Sequence, residues 1–129
     1  MSDVASEHPN DNRYREFLQE VGKWEGLWGL FHHGWLLHTH EGQTFCPLFA
    51  TRDAAQRWGA SIRTNHVAGA ITLVDVIEHL IPDWQSQNIM AGICPTPALG
   101  PVLIRPDKLS AYLLGALKAA MTVQFGRKS

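Results

Sequence analysis

The chain has 129 residues, 45% hydrophobic and 18% charged, with a formal net charge of -1. That length suits one domain with one core, and the composition favours a folded chain over a disordered one. The near-neutral balance supplies no field for nucleic acid or an anionic membrane, so neither is expected as a partner. The first ten residues are polar and lack the apolar run of a signal peptide. No segment approaches the roughly 20 apolar residues that span a bilayer, and the cytoplasm is the expected location. Residues 1–11 read as a mobile polar tail, 12–122 as a single domain and 123–129 as a C-terminal tail.

In chain order, Tyr14, Phe17, Leu18 and Val21 recur at helical spacing, with Asn12 as N-cap and Gly22 as stop. The period then changes. Leu27 to Phe31, Trp35 to Thr39 and Thr44 to Phe49 read as three strands turned at Gly34 and at Glu41-Gly42. Pro47 cannot donate to a ladder, which predicts an edge strand or a bulge there. Thr51 caps a second helix carrying Ala54, Ala55 and Trp58, which Gly59 is expected to shorten. Ile71 can make a short extended pairing. Thr72-Leu73-Val74-Asp75 is a capping-box variant opening a third helix, which Pro82 should end or kink. Asn88 to Cys94 and Val102 to Ile104 read as a hairpin around a Pro-rich loop. Pro106 and Asp107 open a last helix with Leu109, Leu113, Leu117 and Met121 in its stripe.

This order predicts an α+β fold with four helices. A three-stranded antiparallel meander and a later two-stranded hairpin would share one mixed sheet of about five strands. With a two-residue turn at His33-Gly34, Leu30 would face Leu37. One sheet face would then carry Trp28, Leu30, Trp35, Leu37, Cys46 and Leu48. The other would carry Leu27, Phe31, Leu36, His38, His40, Phe45, Pro47 and Phe49. Both faces are largely apolar, whereas a half-solvated antiparallel sheet shows polar residues on one. Each face must therefore be covered, by helices or by a partner.

The candidate binding residues are Phe31, Leu36, His38, His40, Phe45 and Phe49, on the face that ends in two histidines. His38 and His40 are two apart on a strand, about 7 Å along the backbone, and point the same way. Two such rings hold zinc only with a third ligand, and no carboxylate or Cys has a ligand spacing. The plainer reading is a strand leaving the core, and neither a metal nor a cofactor is expected. His66 and His79 are isolated in sequence. No serine lies in a G-x-S-x-G turn, and Cys46 and Cys94 sit in apolar runs as core thiols do. No phosphate-cradling glycine motif is present. No catalytic residue is assigned. Arg52, Arg57 and Arg63 read as a solvated face. The Pro95–Pro101 loop is stiff enough to dock a partner, although such a loop is more often only a hairpin connection.

Several short motifs, taken as a set, resemble a known family. They are Trp28-Gly29-Leu30, Gly34-Trp35, Pro47-Leu48-Phe49, Asp53-Ala54-Ala55 with Trp58, Ile71-Thr72-Leu73 with Leu80, and Ile104-Arg105-Pro106-Asp107-Lys108-Leu109. The family is a bacterial one of uncharacterised proteins, the domain of unknown function 2750, and the resemblance covers roughly Phe17 to Leu117. Phe49 stands where Trp is expected, a departure that affects packing only. The order of elements is also similar to the N-terminal domain of SseB-like proteins. That second likeness implies an α+β sheet and a role in protein interaction, and it carries no catalytic residues.

The expected function is a non-enzymatic interaction module that binds a protein partner or a second copy of itself through its apolar sheet face. The alternative is a small-molecule or metal-binding enzyme centred on His38 and His40. A further alternative is an immunity-type protein that neutralises a toxin.

Overall fold

The computed structural model describes residues 12–126; the expected tail at 1–11 lies outside the described residues, as do 127–129. The fold is α+β, with strands in two hydrogen-bonded ladders. Helix α1 (Arg13–Trp24) leads into β1 (Gly26–Phe31). Strands β2 (His38–His40) and β3 (Gln43–Leu48) precede α2 (Arg52–Ser61). Then follow β4 (Val67–Thr72), α3 (Leu73–Asp75), a π-helical segment (Val76–Leu80) and α4 (Ile81–Gln87). Strands β5 (Met90–Ile93) and β6 (Val102–Ile104) and helix α5 (Pro106–Gly126) complete the order.

One ladder pairs β1 with β4, antiparallel. The other runs β2-β3-β5-β6, with β3 and β5 parallel and the remaining neighbours antiparallel. A bridge between Trp28 and Phe49 joins the two, each backbone N–H donating to the other's carbonyl at 2.8 Å. The expected β1–β2 hairpin is only a stub. Phe31 bridges Trp35 and the Leu36 N–H reaches the Leu30 carbonyl, so the turn holds three residues, His32 to Gly34. The left-handed residue in it is His33, at φ 60, rather than Gly34. The second turn is as expected, with Glu41 and Gly42 both at positive φ and His40 opposite Gln43.

That extra turn residue has a large consequence, because a one-residue change of register exchanges sheet faces. Leu27 packs with Cys46 and Leu48 in one cluster, while Leu30 packs with Phe45 and Phe49 in the other. β1 is therefore flipped relative to the two-residue expectation, whereas the alternation along β3 is as read. The long partner of β1 is β4, where only a short pairing at Ile71 was expected. β4 reads Val-Ala-Gly-Ala-Ile-Thr, and its small residues hide the alternation. Trp35 lies over one of them: a Cβ on Gly69 would stand 3.4 Å from that ring, an ordinary contact.

Pro47 lies inside the sheet rather than at an edge, opposite Gly92 of β5. Both backbone groups of Phe49 point to β1, so the missing N–H of Pro47, two residues earlier, falls on the same side. There β2 has ended at His38–Phe45 and the Trp28 bridge has not begun. The proline occupies the gap between two ladders, where no donor is called for.

Several caps depart from expectation. Asn12 makes no side-chain cap bond, and α1 runs through Gly22 to a left-handed Glu25. Gly22 faces Ala116 of α5, which lies 3.5 Å from where a Cβ would be, an ordinary contact. Thr51 and Thr72 cap as read, each hydroxyl accepting an N–H at 3.1 Å, from Ala54 and Asp75. Gly59 does not shorten α2, which ends at Ser61; it admits Leu30. Pro82 does not end its helix. The widened π turn just before it takes up the ring's clash with the preceding turn, and the helix continues to Gln87. β5 is shorter than expected, because Asn88 is the left-handed cap of α4. α5 continues to Gly126, past the boundary expected at 122.

Both sheet faces are buried by the chain's own helices. The larger cluster joins Phe17 and Val21 of α1, Trp84 of α4 and Leu109 and Leu113 of α5 to the inner residues of β3, β5 and β6. The smaller holds Leu30, Phe45 and Phe49 under Ala55 and Trp58 of α2.

Candidate functional site

The smaller cluster opens to solvent on one side, and that opening is the candidate site. Alternation on β2 sends His38 toward the α2 side of the sheet. Its ring meets Trp58 edge-on at 5.3 Å between centroids and Phe45 at 5.9 Å. Trp58 also touches Phe49 at 5.9 Å, so the exposed imidazole continues a stack of buried aromatics. The opposite wall is the loop between β5 and β6. Its Thr96–Leu99 turn is closed by the Thr96 N–H donating to the Leu99 carbonyl and by the Leu99 N–H donating to Thr96 Oγ1, both at 2.8 Å. Arg13 Nη1 donates to the carbonyls of Cys94 and Gly100 at 3.0 and 2.7 Å. Gly100 lies close to the His40 ring: a Cβ there would come within 2.8 Å of it and oblige the ring to shift.

Between these walls lies an open groove of about 230 Å³, lined by His38, Thr39, His40, Phe45, Trp58, Ile62 and residues 95–101. Its polar side chains are chiefly two imidazoles and two threonines, and the remainder is apolar or proline. Because turn, arginine clamp and sheet fix the walls, little ordering remains to be done when a ligand enters.

The six expected binding residues separate. His38 and His40 line the groove, and Phe45, only 1% exposed, forms its floor. Leu36 is half-buried against the smaller cluster, and Phe49, at 0%, is wholly core. Phe31 lies away from the groove, 42% exposed and edge-on to Trp35 at 5.0 Å. Trp58, Ile62 and Leu99 were missing from the expected set. The signal for Trp58 was its place on the apolar stripe of α2; nothing in the sequence set Leu99 against His38.

His66, isolated in sequence, is brought beside His32 by the β1–β4 ladder, at 5.7 Å between rings, and His33 meets His32 edge-on at 4.5 Å. His66 Nδ1 shares a hydrogen bond with Thr64 Oγ1 at 2.8 Å. His79 stands 4.0 Å from Asp75 on an exposed helix face, and His40 is 3.9 Å from an exposed Glu41. Among the described residues, no three His, Cys, Asp or Glu side chains are grouped to hold a metal ion. Burial pushes the Cys46 thiol from its ordinary 9.0 up to about 12, which keeps it protonated and unreactive in the core. Cys94 is half-buried and not in a disulfide.

Fold and site together define an α+β domain whose sheet carries helices on both faces and which bears an open recess walled by histidines and a proline loop. The family follows from comparison. A family model described as "Protein of unknown function (DUF2750)" matches residues 14–113, and the chain belongs to that family. No curated protein and no solved structure matches. Neither comparison supports the expected likeness to SseB-like proteins. No helix among the described residues is long and apolar enough to cross a membrane.

Proposed function

We propose that the chain is a protein-interaction module that acts by binding rather than by catalysis, and that its recognition surface is the His38–His40 groove. The observation that carries this reading is the preformed recess itself, whose loop wall is pinned by Arg13 and by the Thr96–Leu99 turn. The sheet faces are taken by the chain's own helices, so the recognition surface moves from the face to its open margin. The groove suits a short peptide segment. An apolar side chain would rest against Ile62, Leu99 and the edge of Trp58, and a carbonyl or carboxylate would meet the imidazoles. The net charge of -1 favours a protein partner over nucleic acid.

Peptides selected from a random library on the intact chain test this. Affinity should fall about tenfold or more, or about 1.4 kcal/mol, when His38→Ala and Leu99→Asp are combined. Val74→Lys, at an exposed site on α3, should leave it unchanged. Peptides that bind all three proteins alike would count against the groove.

A further inference from the structure

We infer that a second copy of this chain pairs with the outer edge of β4, joining the two β1–β4 ladders into one antiparallel sheet about a two-fold axis at Gly69. The inference is independent of the groove, which lies elsewhere on the molecule.

β4 has β1 on one side, and among the described residues no strand pairs with its other side. Six residues present about 20 Å of edge. Proteins that must stay apart protect such an edge with lysine, proline, a bulge or a covering element. β4 carries no charge, no proline and no bulge, and its register with β1 is unbroken from Gly26–Thr72 to Phe31–Val67. Val67, at the end of this edge, is 63% exposed, and its neighbour Phe31 is 42% exposed.

The occupant follows from the order of residues. Val67-Ala68-Gly69-Ala70-Ile71 reads nearly the same in both directions: branched, small, glycine, small, branched. In an antiparallel pair, outward-pointing peptide groups must face outward-pointing ones, so a two-fold between identical strands passes through a pair of like residues. Placing it at Gly69 sets Ala68 against the partner's Ala70 and exposed Val67 against the partner's Ile71. Branched residues then meet branched, small meet small, and no charge opposes another. Trp35 lies against Gly69 on the same sheet face, with its ring 3.4 Å from where a Cβ would be. The glycine pair therefore brings the two indoles toward each other at the axis. An unrelated strand would have no reason to match this palindrome.

Sedimentation of the full chain over a dilution series should show a monomer–dimer equilibrium. Val67→Lys with Ala70→Lys, both at exposed positions, should shift it at least tenfold toward monomer, while Val74→Lys leaves it in place. Register is read separately by oxidation. Paired Cα atoms in an antiparallel sheet stand about 4.5–5.5 Å apart, within disulfide range. Gly69→Cys should cross-link to its own copy. Thr72→Cys, which would face the partner's His66, should cross-link no more than the wild type. A monomer throughout, or a dimer indifferent to the lysines, overturns the inference. A cross-link as strong at Thr72→Cys as at Gly69→Cys overturns the register.

Discussion

The two faces of β3 are built from the same alternating strand and end in different environments. The face bearing Cys46 and Leu48 meets α1, α4 and α5 and disappears into a large cluster. The face bearing Phe45 and Phe49 meets α2, which brings Ala55 and Trp58 as its buried contribution. One short helix cannot close the aromatic face completely. At its margin an imidazole takes the place of another apolar side chain, and a groove remains. A recess here thus arises from unequal cover on two equally apolar faces.

The sharpest way to break this comparison is to truncate one phenylalanine on each face. Phe17→Ala and Phe49→Ala should each destabilise the fold by about 3–5 kcal/mol in denaturant unfolding. Phe17→Ala should lie toward the upper end, because its surroundings are held by three helices. Phe49→Ala should lie toward the lower end, because Trp58 can settle into the space. A reversed order would mean that the aromatic face is the more rigid one.

Gly92→Ala comes next. An added Cβ would run into the Phe45 ring, and overpacking of this kind costs about 1–3 kcal/mol. Because Phe45 is the groove floor, the variant should also weaken peptide binding, which separates it from a change on the other face. The Cys46 side answers to alkali instead. Its folded pKa of about 12 lies above the ordinary 9.0, so the unfolded chain releases this proton first. Stability from this group is fully present below pH 9 and declines as pH rises from about 9 toward about 12. Chemical unfolding across that window should lose this slope in Cys46→Ala. The smallest effects concern the caps. Thr51→Ala and Thr72→Ala should each cost about 1 kcal/mol. Only Thr51→Ala, on the helix covering the aromatic face, should speed amide exchange around the groove.

The helices and the Glu41-Gly42 turn were legible because periodicity and turn chemistry are local. The alternation of β3 was legible for the same reason. The face of β1 was not, since it depended on one extra turn residue and on His33 taking a conformation usually left to glycine. β4 was nearly invisible, because its Ala and Gly residues carry no alternation. Pro47 misled because its tolerance depends on a gap between ladders that only the assembled sheet contains. Of the site, the sequence supplied His38 and His40 and the stiffness of the loop. It could not supply their meeting, which depends on Gly100 passing against His40 and on Arg13 reaching the loop from 87 residues away.

The account turns on the groove being where this chain binds. The most direct measurement is a backbone and indole NMR titration of the intact chain with the strongest selected peptide. The account predicts shifts concentrated at His38, His40, the Trp58 indole and residues 96–100, with β4 and α5 silent. Shifts confined to Phe31 and Val67, or spread over the helices that cover the larger cluster, would contradict it.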